Sequence, residues 1–287
     1  MKFNANQFRS DLYSADSSGK QGLTELQQSE KTAKEHIRLF HYTSFEILKL
    51  ILSNKNWKFN RIDNVNDRLE HILFGEDELA HLVFVSCFST DEVESIPMWA
   101  IYGKDNNGLR VSIELDKSNF VENFLDKQGN ISVLESNALY RYGKLNAPCS
   151  DWSYTVTIKD IIYDIDAIKR NPIRNGSGNN EWFRLTAMAA IKRREWQYEH
   201  ECRMIATLRT VRDNVEAPEI DHILVPIQFN HIKKVIITFN PWMENSTKNE
   251  IKEFVNSIPD ITYKTSFEDS ILTGEIKEMK CSNEKRD

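Results

Sequence analysis

The sequence contains no long apolar run, which argues against a helical membrane protein. No stretch of the 287 residues approaches the roughly 18 consecutive apolar residues that a membrane-spanning helix needs. The first residues, MKFNANQFRSDLYS, also lack the apolar segment of a secretory signal. We therefore expect a cytoplasmic protein without a membrane partner.

Cysteine is scarce, and its four positions are far apart in the chain. They form no Cys-x-x-Cys pair, so the pattern argues against a disulfide scaffold or a zinc ribbon. We expect reduced thiols, no metal and no bound cofactor. The four positions are Cys87, Cys149, Cys202 and Cys281.

Several short motifs that define enzyme classes are also absent. The chain has no Gly-x-x-x-x-Gly-Lys-Ser/Thr, no Gly-x-Gly-x-x-Gly, no Gly-x-Ser-x-Gly and no His-Glu-x-x-His. This excludes the P-loop, Rossmann, α/β-hydrolase and zincin classes. Positive charge does not dominate either, since the formal net charge is −6. This charge disfavours a broad nucleic-acid-binding face.

The chain does contain enough apolar residues to form a core. Its 40% hydrophobic and 28% charged residues are typical of a globular protein. Residues 1–35 are polar and predict only a weak helix at 23–33, so we interpret them as an N-terminal arm. Residues 36–287 show no repeat and no linker and are predicted to form a single α+β domain.

Hydrophobic periodicity predicts strands and helices in an irregular order. IRLFHY predicts a strand, and Thr43 is placed to cap the next helix, with Glu46 completing a capping box. Residues 82–85 predict a strand buried on both faces, and residues 181–197 predict a helix. This irregular order favours the α+β class, with mixed or antiparallel central sheets and flanking helices.

The first candidate site is the junction between the IRLFHY strand and the following helix. His41 can donate or accept a hydrogen bond, and Tyr42 can stack on a flat ring. Thr43 lies beside the free backbone N–H groups of the helix start. Such a junction suits a polar or anionic ligand, although the same pattern is also typical of packed core residues.

A second polar group follows at Asn66, Asp67 and Glu70. Residues of this kind usually cap a turn or a helix start. Their alternative role is to orient a ligand or to bind a hard cation, because carboxylate and amide oxygens are the ligands such cations prefer.

Two hydroxyl groups and two aromatic rings come next along the chain. Ser86 and Ser89 end the buried strand and are placed to line the rim of a pocket. Cys87 between them is typical of inert packing, because no base lies near it in sequence. Trp99 and Tyr102 are one helical turn apart and form either a core anchor or a stacking wall for a flat ring.

The last candidate group is acidic. Strand alternation over HECRMIA would place Glu199, Glu201 and Arg203 on one face. Unpaired burial of such charges is costly, so they either form a salt-bridge ladder or face a polar cleft. A glutamate held near an arginine stays ionised and can stabilise a developing cation. The basic residues 192–194 are predicted to be a solvated helix end, with phosphate contact as the alternative.

Taken in order, these segments resemble a bacterial family called domain of unknown function 2971. The resemblance spans roughly residues 37–240, and Arg68 stands where the family usually has proline. The segments that carry it are HYTSFEILKLIL, WKFNRIDNVNDRLE, VSCFS, MWAIYGKDNNGLRVSIEL and WQYEHECRMI.

The same order of residues resembles, more loosely, the ADP-ribosyltransferase superfamily, which implies NAD as the substrate. His41 would then hold the ribose and amide end of NAD. Tyr42 or Tyr102 would stack on nicotinamide. Ser86 or Ser89 would line the second strand of the site.

The resemblance also implies a catalytic carboxylate, which would be Glu199 or Glu201. It would stabilise the ribose cation as nicotinamide leaves, and ADP-ribose would pass to an undefined macromolecular acceptor or to water. A bacterial enzyme of this kind would be a toxin or a phage-defence effector. The interpretation requires His41, Tyr102 and one of the two glutamates to meet in one cleft.

Two other functions stay open. A non-catalytic nucleotide-binding module would use an aromatic pocket made by His41, Tyr42, Trp99 and Tyr102. A metal-dependent nuclease ranks lower, because the chain carries a net negative charge. Its metal ligands would be Asp67, Glu70, Glu199 and Glu201.

Overall fold

The computed structural model describes ten segments of the chain. They are residues 25–67, 70, 77–103, 106–125, 152–167, 174–175, 182–183, 185–210, 219–262 and 264–273. The strands are β1 Arg38–Ser44, β2 Asn56–Arg61, β3 Val83–Ser89, β4 Gly108–Leu115, β5 Trp152–Asp160, β6 Arg174–Asn175, β7 Trp182–Phe183, β8 Glu201–Thr210, β9 His222–Pro226, β10 Ile232–Phe239 and β11 Thr265–Asp269. The α-helices are α1 Glu25–Glu35, α2 Phe45–Asn54, α3 Asp77–Ala80, α4 Ile96–Tyr102, α5 Phe120–Phe124, α6 Leu185–Met188, α7 Asn245–Asn256 and α8 Pro259–Thr262. Short 3₁₀ helices lie at Ile62–Asn64, Arg194–Glu199 and Phe229–His231.

A large mixed sheet organises the fold. Within the described residues it has nine strands, with β11, β10, β4, β1, β3, β2 and β9 in that order and with β8 and β5 attached through β3. All of its strand pairs are antiparallel except β10 with β11. Helices flank this sheet, which confirms the expected α+β class with mixed sheets and flanking helices.

Along one of its edges, strand β3 pairs with two different strands in turn, and the gap between those two strands creates the space for a site. One edge of β3 pairs with β8 along its whole length. On the other edge, β1 pairs only at Ser89, whereas β2 pairs at Val85 and Phe84. Residues 86–88 therefore have no strand partner on that edge, and the sheet splits between β1 and β2.

Strand β3 is also the centre of the core. Val83, Phe84 and Val85 are at most 1% exposed, which confirms a strand buried on both faces. Helix α1 covers β5 and buries Leu26 and Ala33, so this helix packs on the sheet. Among the described residues no helix has the length and apolar character needed to cross a membrane.

The start of α2 differs from the expectation. Ser44, not Thr43, is the N-cap, since its hydroxyl accepts a hydrogen bond from the Ile47 N–H. Thr43 is still paired within β1, opposite Leu109, and is buried. The strand extends two residues beyond the predicted IRLFHY segment, because β4 pairs with it up to Ser44.

The prediction of a helix over residues 181–197 was wrong. The described part of this segment contains β7, the short helix α6 and the 3₁₀ helix Arg194–Glu199. Ile191 forms an isolated parallel bridge with Ile162, and the Lys192 N–H donates to the Ile162 carbonyl at 3.0 Å. This long-range pairing extends the backbone where the spacing of apolar residues favoured a helix. The segment ALYRYGKL at residues 138–145 also predicts a strand, but it lies outside the described residues.

Candidate functional site

The split in the sheet holds a cavity of about 300 Å³. Its walls come from β1, β2, β3, α4 and the segment that leads into β8, so residues far apart in sequence meet there. His41, Tyr102, Glu199 and Glu201 all line it. The geometric requirement stated from the sequence, that these groups meet in one cleft, is therefore fulfilled.

One end of the cavity is charged. Arg203 is 1% exposed and holds two carboxylates at once. Its guanidinium donates to Glu70 from Nη1 at 2.5 Å and from Nη2 at 2.9 Å. It donates to Glu201 from Nε at 2.5 Å and from Nη2 at 3.0 Å. Such bidentate pairs fix both partners in position.

Lys192 is the second cation at this end, and it is buried. Its ammonium lies 2.5 Å from Glu199 Oε2, 3.1 Å from Glu201 Oε2 and 3.4 Å from Glu70 Oε1. Lys192 therefore contacts all three carboxylates. We call Glu70, Lys192, Glu199, Glu201 and Arg203 the charged cluster.

The charged cluster carries an excess of negative charge. Three carboxylates face two cationic side chains, which leaves one negative charge unbalanced when all five groups are ionised. Burial and the charge of Glu201 raise the pKa of Glu199. Arg203 and Lys192 hold the pKa of Glu201 well below its usual range despite its burial.

Tyr102 connects helix α4 to the charged cluster. Its hydroxyl donates to Glu199 Oε1 at 2.7 Å. Burial and the neighbouring Glu199 charge raise the pKa of Tyr102, so the phenol stays protonated and remains a donor. Glu199 thus has one oxygen held by a neutral phenol and the other by Lys192.

The other end of the cavity is aromatic. The rings of Trp57 and Phe88 stack with centroids 5.2 Å apart, and His41 lies edge-on to Trp57 at 5.0 Å. Burial lowers the pKa of His41, so the imidazole is neutral at pH 7. Its Nδ1 lies 3.0 Å from the Cys87 carbonyl, which can only accept, so Nδ1 carries the proton. Nε2 is then left as an acceptor.

The remaining expected residues at the cavity already have intramolecular partners. Ser86 accepts a hydrogen bond from Trp57 Nε1, and Ser89 accepts one from the Asp91 N–H. The Tyr42 hydroxyl accepts from the Ser95 N–H. Asn66 lies at the wall and contacts Tyr102.

Cys87 also lines the cavity, but its chemistry does not suit a nucleophile. Burial and the Glu201 charge raise the pKa of its thiol well above the usual value. The thiolate that nucleophilic attack requires is therefore disfavoured.

Three of the expected ligand-binding residues do not line the cavity. Thr43 lies within the β1–β4 ladder. Asp67 instead forms a bidentate pair with Arg193, at 3.0 and 3.1 Å. Trp99 is 2% exposed and packs edge-on against Tyr42, so it anchors α4 to β1 and is not a stacking wall.

Lys192 and Trp57 are the site residues that sequence reasoning missed. Lys192 stands in a basic run that reads as a solvated helix end, and only the fold shows that three carboxylates surround it. Trp57 alternates with exposed residues along β2, a pattern that is typical of ordinary packing in a half-buried strand. The local pattern gives no signal that separates Trp57 from a packed core residue.

Among known proteins, one family model matches part of the chain, and it describes no activity. Residues 98–204 match the family model described as protein of unknown function (DUF2971). No curated protein and no solved structure matches the chain. The matched segment contains Tyr102 and all of the charged cluster except Glu70, so the family match supports the first resemblance. The ADP-ribosyltransferase resemblance depends on the site residues alone.

Proposed function

We propose that the cavity is the active site of an enzyme that cleaves the bond between nicotinamide and ribose in NAD. The observation that carries this proposal is the meeting of His41, Tyr102 and Glu199 at one cavity, beside the charged cluster. A cavity of about 300 Å³ is at the small end of the range for small-molecule sites. It therefore fits nicotinamide and its ribose and leaves the rest of NAD outside.

The charge of the site suits the proposed reaction. The ribose C1′–nicotinamide N1 bond breaks, its electron pair leaves with neutral nicotinamide, and positive charge develops on the ribose. A carboxylate fixed beside that charge stabilises it without reorganising. Water or the hydroxyl or amine of an acceptor then adds to C1′ and loses a proton, which gives free ADP-ribose or an ADP-ribosylated product.

Among the two glutamates, Glu199 is the better candidate for this carboxylate. Both Glu201 oxygens accept hydrogen bonds from Arg203, and one of them also accepts from Lys192. Glu201 therefore acts as a positioning residue for the two cations. Glu199 is held by the Tyr102 phenol and by Lys192 and has no arginine partner in the described structure.

The aromatic end suits the ribose and the flat ring. Neutral His41 can accept a hydrogen bond from a ribose hydroxyl or an amide N–H, while Trp57 and Phe88 supply apolar walls. In a bacterial cell, consumption of NAD fits a toxin or a phage-defence effector, and induced expression is then expected to lower cellular NAD.

A nucleotide-binding module is the second candidate, and one observation favours it. Each carboxylate of the charged cluster is already paired with a lysine or an arginine. The same pairing disfavours a nuclease, because the carboxylate oxygens that would bind a metal are in use.

Incubation of the purified full chain with NAD separates these functions. Chromatography should show free nicotinamide and ADP-ribose accumulating in equal amounts when water is the acceptor. Intact NAD that co-purifies with the protein would contradict the enzyme and support the binding module. Degradation of nucleic acid that a chelator abolishes would instead support the nuclease.

A further inference from the structure

A histidine, an aspartate and a cysteine meet away from the cavity. His36 Nε2 lies 2.9 Å from Asp160 Oδ1, and the Cys202 thiol lies beside the same carboxylate. The three ligand atoms are all within 4.8 Å of one another. One nitrogen, one oxygen and one sulfur donor thus converge on one point.

The fold brings these residues together from three separate segments. Asp160 and Cys202 oppose each other in the β5–β8 ladder, so their side chains lie on the same face. His36 comes from the connection between α1 and β1. The Ser29 hydroxyl donates to the Asp160 carbonyl at 2.5 Å, which fixes the backbone of one donor.

This group is separate from the proposed active site. None of the three side chains lines the cavity. Cys202 lies between Glu201 and Arg203 in β8, and strand alternation directs its side chain to the opposite face from theirs. The inference therefore does not depend on the proposed function.

We propose that His36, Asp160 and Cys202 bind one divalent transition-metal ion of the zinc type. A thiolate with an imidazole suits zinc and not calcium or magnesium, which prefer oxygen ligands alone. Three protein donors leave a fourth position for water in a tetrahedral site. Coordination forms a metal–sulfur bond, and the thiol proton passes to solvent.

The site has a route for the ion to enter. The side chains of His36 and Asp160 are 25% and 26% exposed, whereas Cys202 is fully buried. An ion can therefore approach from the His36 side and meet the sulfur at the base. Once bound, it would tie the α1–β1 connection to strands β5 and β8.

Cobalt provides a direct test, because Co²⁺ bound to a thiolate absorbs in the near ultraviolet and Co²⁺ in a tetrahedral site absorbs in the visible. The reduced full chain, stripped of metal with a chelator, is titrated with Co²⁺. The proposal predicts both absorptions with one ion per chain, and their loss when Zn²⁺ is added. Absence of a thiolate absorption in the wild-type protein would overturn it.

Four variants locate the ion. Cys202→Ser should abolish the thiolate absorption, and His36→Gln and Asp160→Asn should each weaken Co²⁺ binding by about tenfold or more. Cys87→Ser is the matched control and should bind as the wild type does. Because Cys202 is buried, circular dichroism must show that Cys202→Ser is folded. If it is not folded, the His36→Gln and Asp160→Asn variants decide, because these two side chains are partly exposed.

Two results would contradict the metal site. If the absorption survives in Cys202→Ser, or if His36→Gln and Asp160→Asn both bind Co²⁺ with wild-type affinity, the three residues form only a hydrogen-bonded group. The readout is absorbance without NAD, so failure of this site and failure of the NAD-cleaving activity are distinguishable.

Discussion

The Tyr102 hydroxyl donates a 2.7 Å hydrogen bond to Glu199 Oε1 across 97 residues of sequence. This bond connects α4 to the turn before β8 and forms part of the cavity wall. It also leaves the second Glu199 oxygen to Lys192. The position of Glu199 therefore depends on both partners.

Replacement of Tyr102 by Phe tests this dependence. The variant keeps the ring and removes the donor to Glu199, so we expect nicotinamide release to fall by about tenfold or more. The same loss should lower the free energy of unfolding by only about 1–3 kcal/mol. Tyr198→Phe, outside the cavity, is the control and should keep wild-type turnover. Equal rates in the two variants would contradict the role of the hydroxyl.

Arg203→Met tests the charged cluster as a structural unit. The change leaves Glu70 and Glu201 buried without their main partner, and breaking a buried ion pair in this way costs about 3–5 kcal/mol. Urea unfolding should show this loss. Arg194→Met, at an exposed position, should change the free energy of unfolding by less than about 0.5 kcal/mol. A loss below about 1 kcal/mol for Arg203→Met would mean that the cluster is not tightly coupled.

The burial of His41 leads us to expect that the stability of the protein depends on pH. Its pKa in the native state is below the ordinary 6.5, so the unfolded chain takes up a proton first as the pH falls. The His41 contribution is therefore complete above 6.5 and is lost as the pH drops towards the native pKa. The free energy of unfolding of wild type relative to His41→Gln should decrease over this range, by about 1.4 kcal/mol for each unit of pKa depression. A difference that stays constant with pH would show that His41 is not buried as a neutral imidazole.

As the N-cap of α2, Ser44 is expected to stabilise the protein. Ser44→Ala removes the acceptor for the Ile47 N–H and should lower the free energy of unfolding by about 1 kcal/mol. The same substitution at exposed Ser53, inside the helix, is the matched control and should be neutral or slightly stabilising, because alanine favours helix. Chemical denaturation of the two variants measures both effects. Equal stabilities would rule out Ser44 as the cap.

Local patterns were sufficient for much of the fold. The segments IRLFHY and HECRMIA and the all-apolar run at residues 82–85 correspond to strands β1, β8 and β3. Strand β3 is buried on both faces, which explains its continuous apolar run. The expectation that Glu201 and Arg203 share a face also corresponds to the structure, where they pair. Glu199 reaches the same cluster by a different route, since it ends a 3₁₀ helix before the strand begins.

Long-range contacts explain what the patterns could not predict. Residues 181–197 have helical spacing, but Ile191 bridges to Ile162 and Lys192 turns inward to three carboxylates. No local feature distinguishes Lys192 from the exposed Arg194 beside it. The split of β3 between β1 and β2, which opens the cavity, likewise depends on pairing between segments that are distant in sequence.

The most direct test of the account is the rate of nicotinamide release by Glu199→Gln. The amide keeps the shape of the side chain and removes its charge, so we predict a fall of about 10²-fold or more while circular dichroism shows a folded protein. Glu195→Gln, exposed and four residues earlier in the same 3₁₀ helix, should keep the wild-type rate. Wild-type turnover by Glu199→Gln would contradict the assignment of this carboxylate and with it the proposed active site.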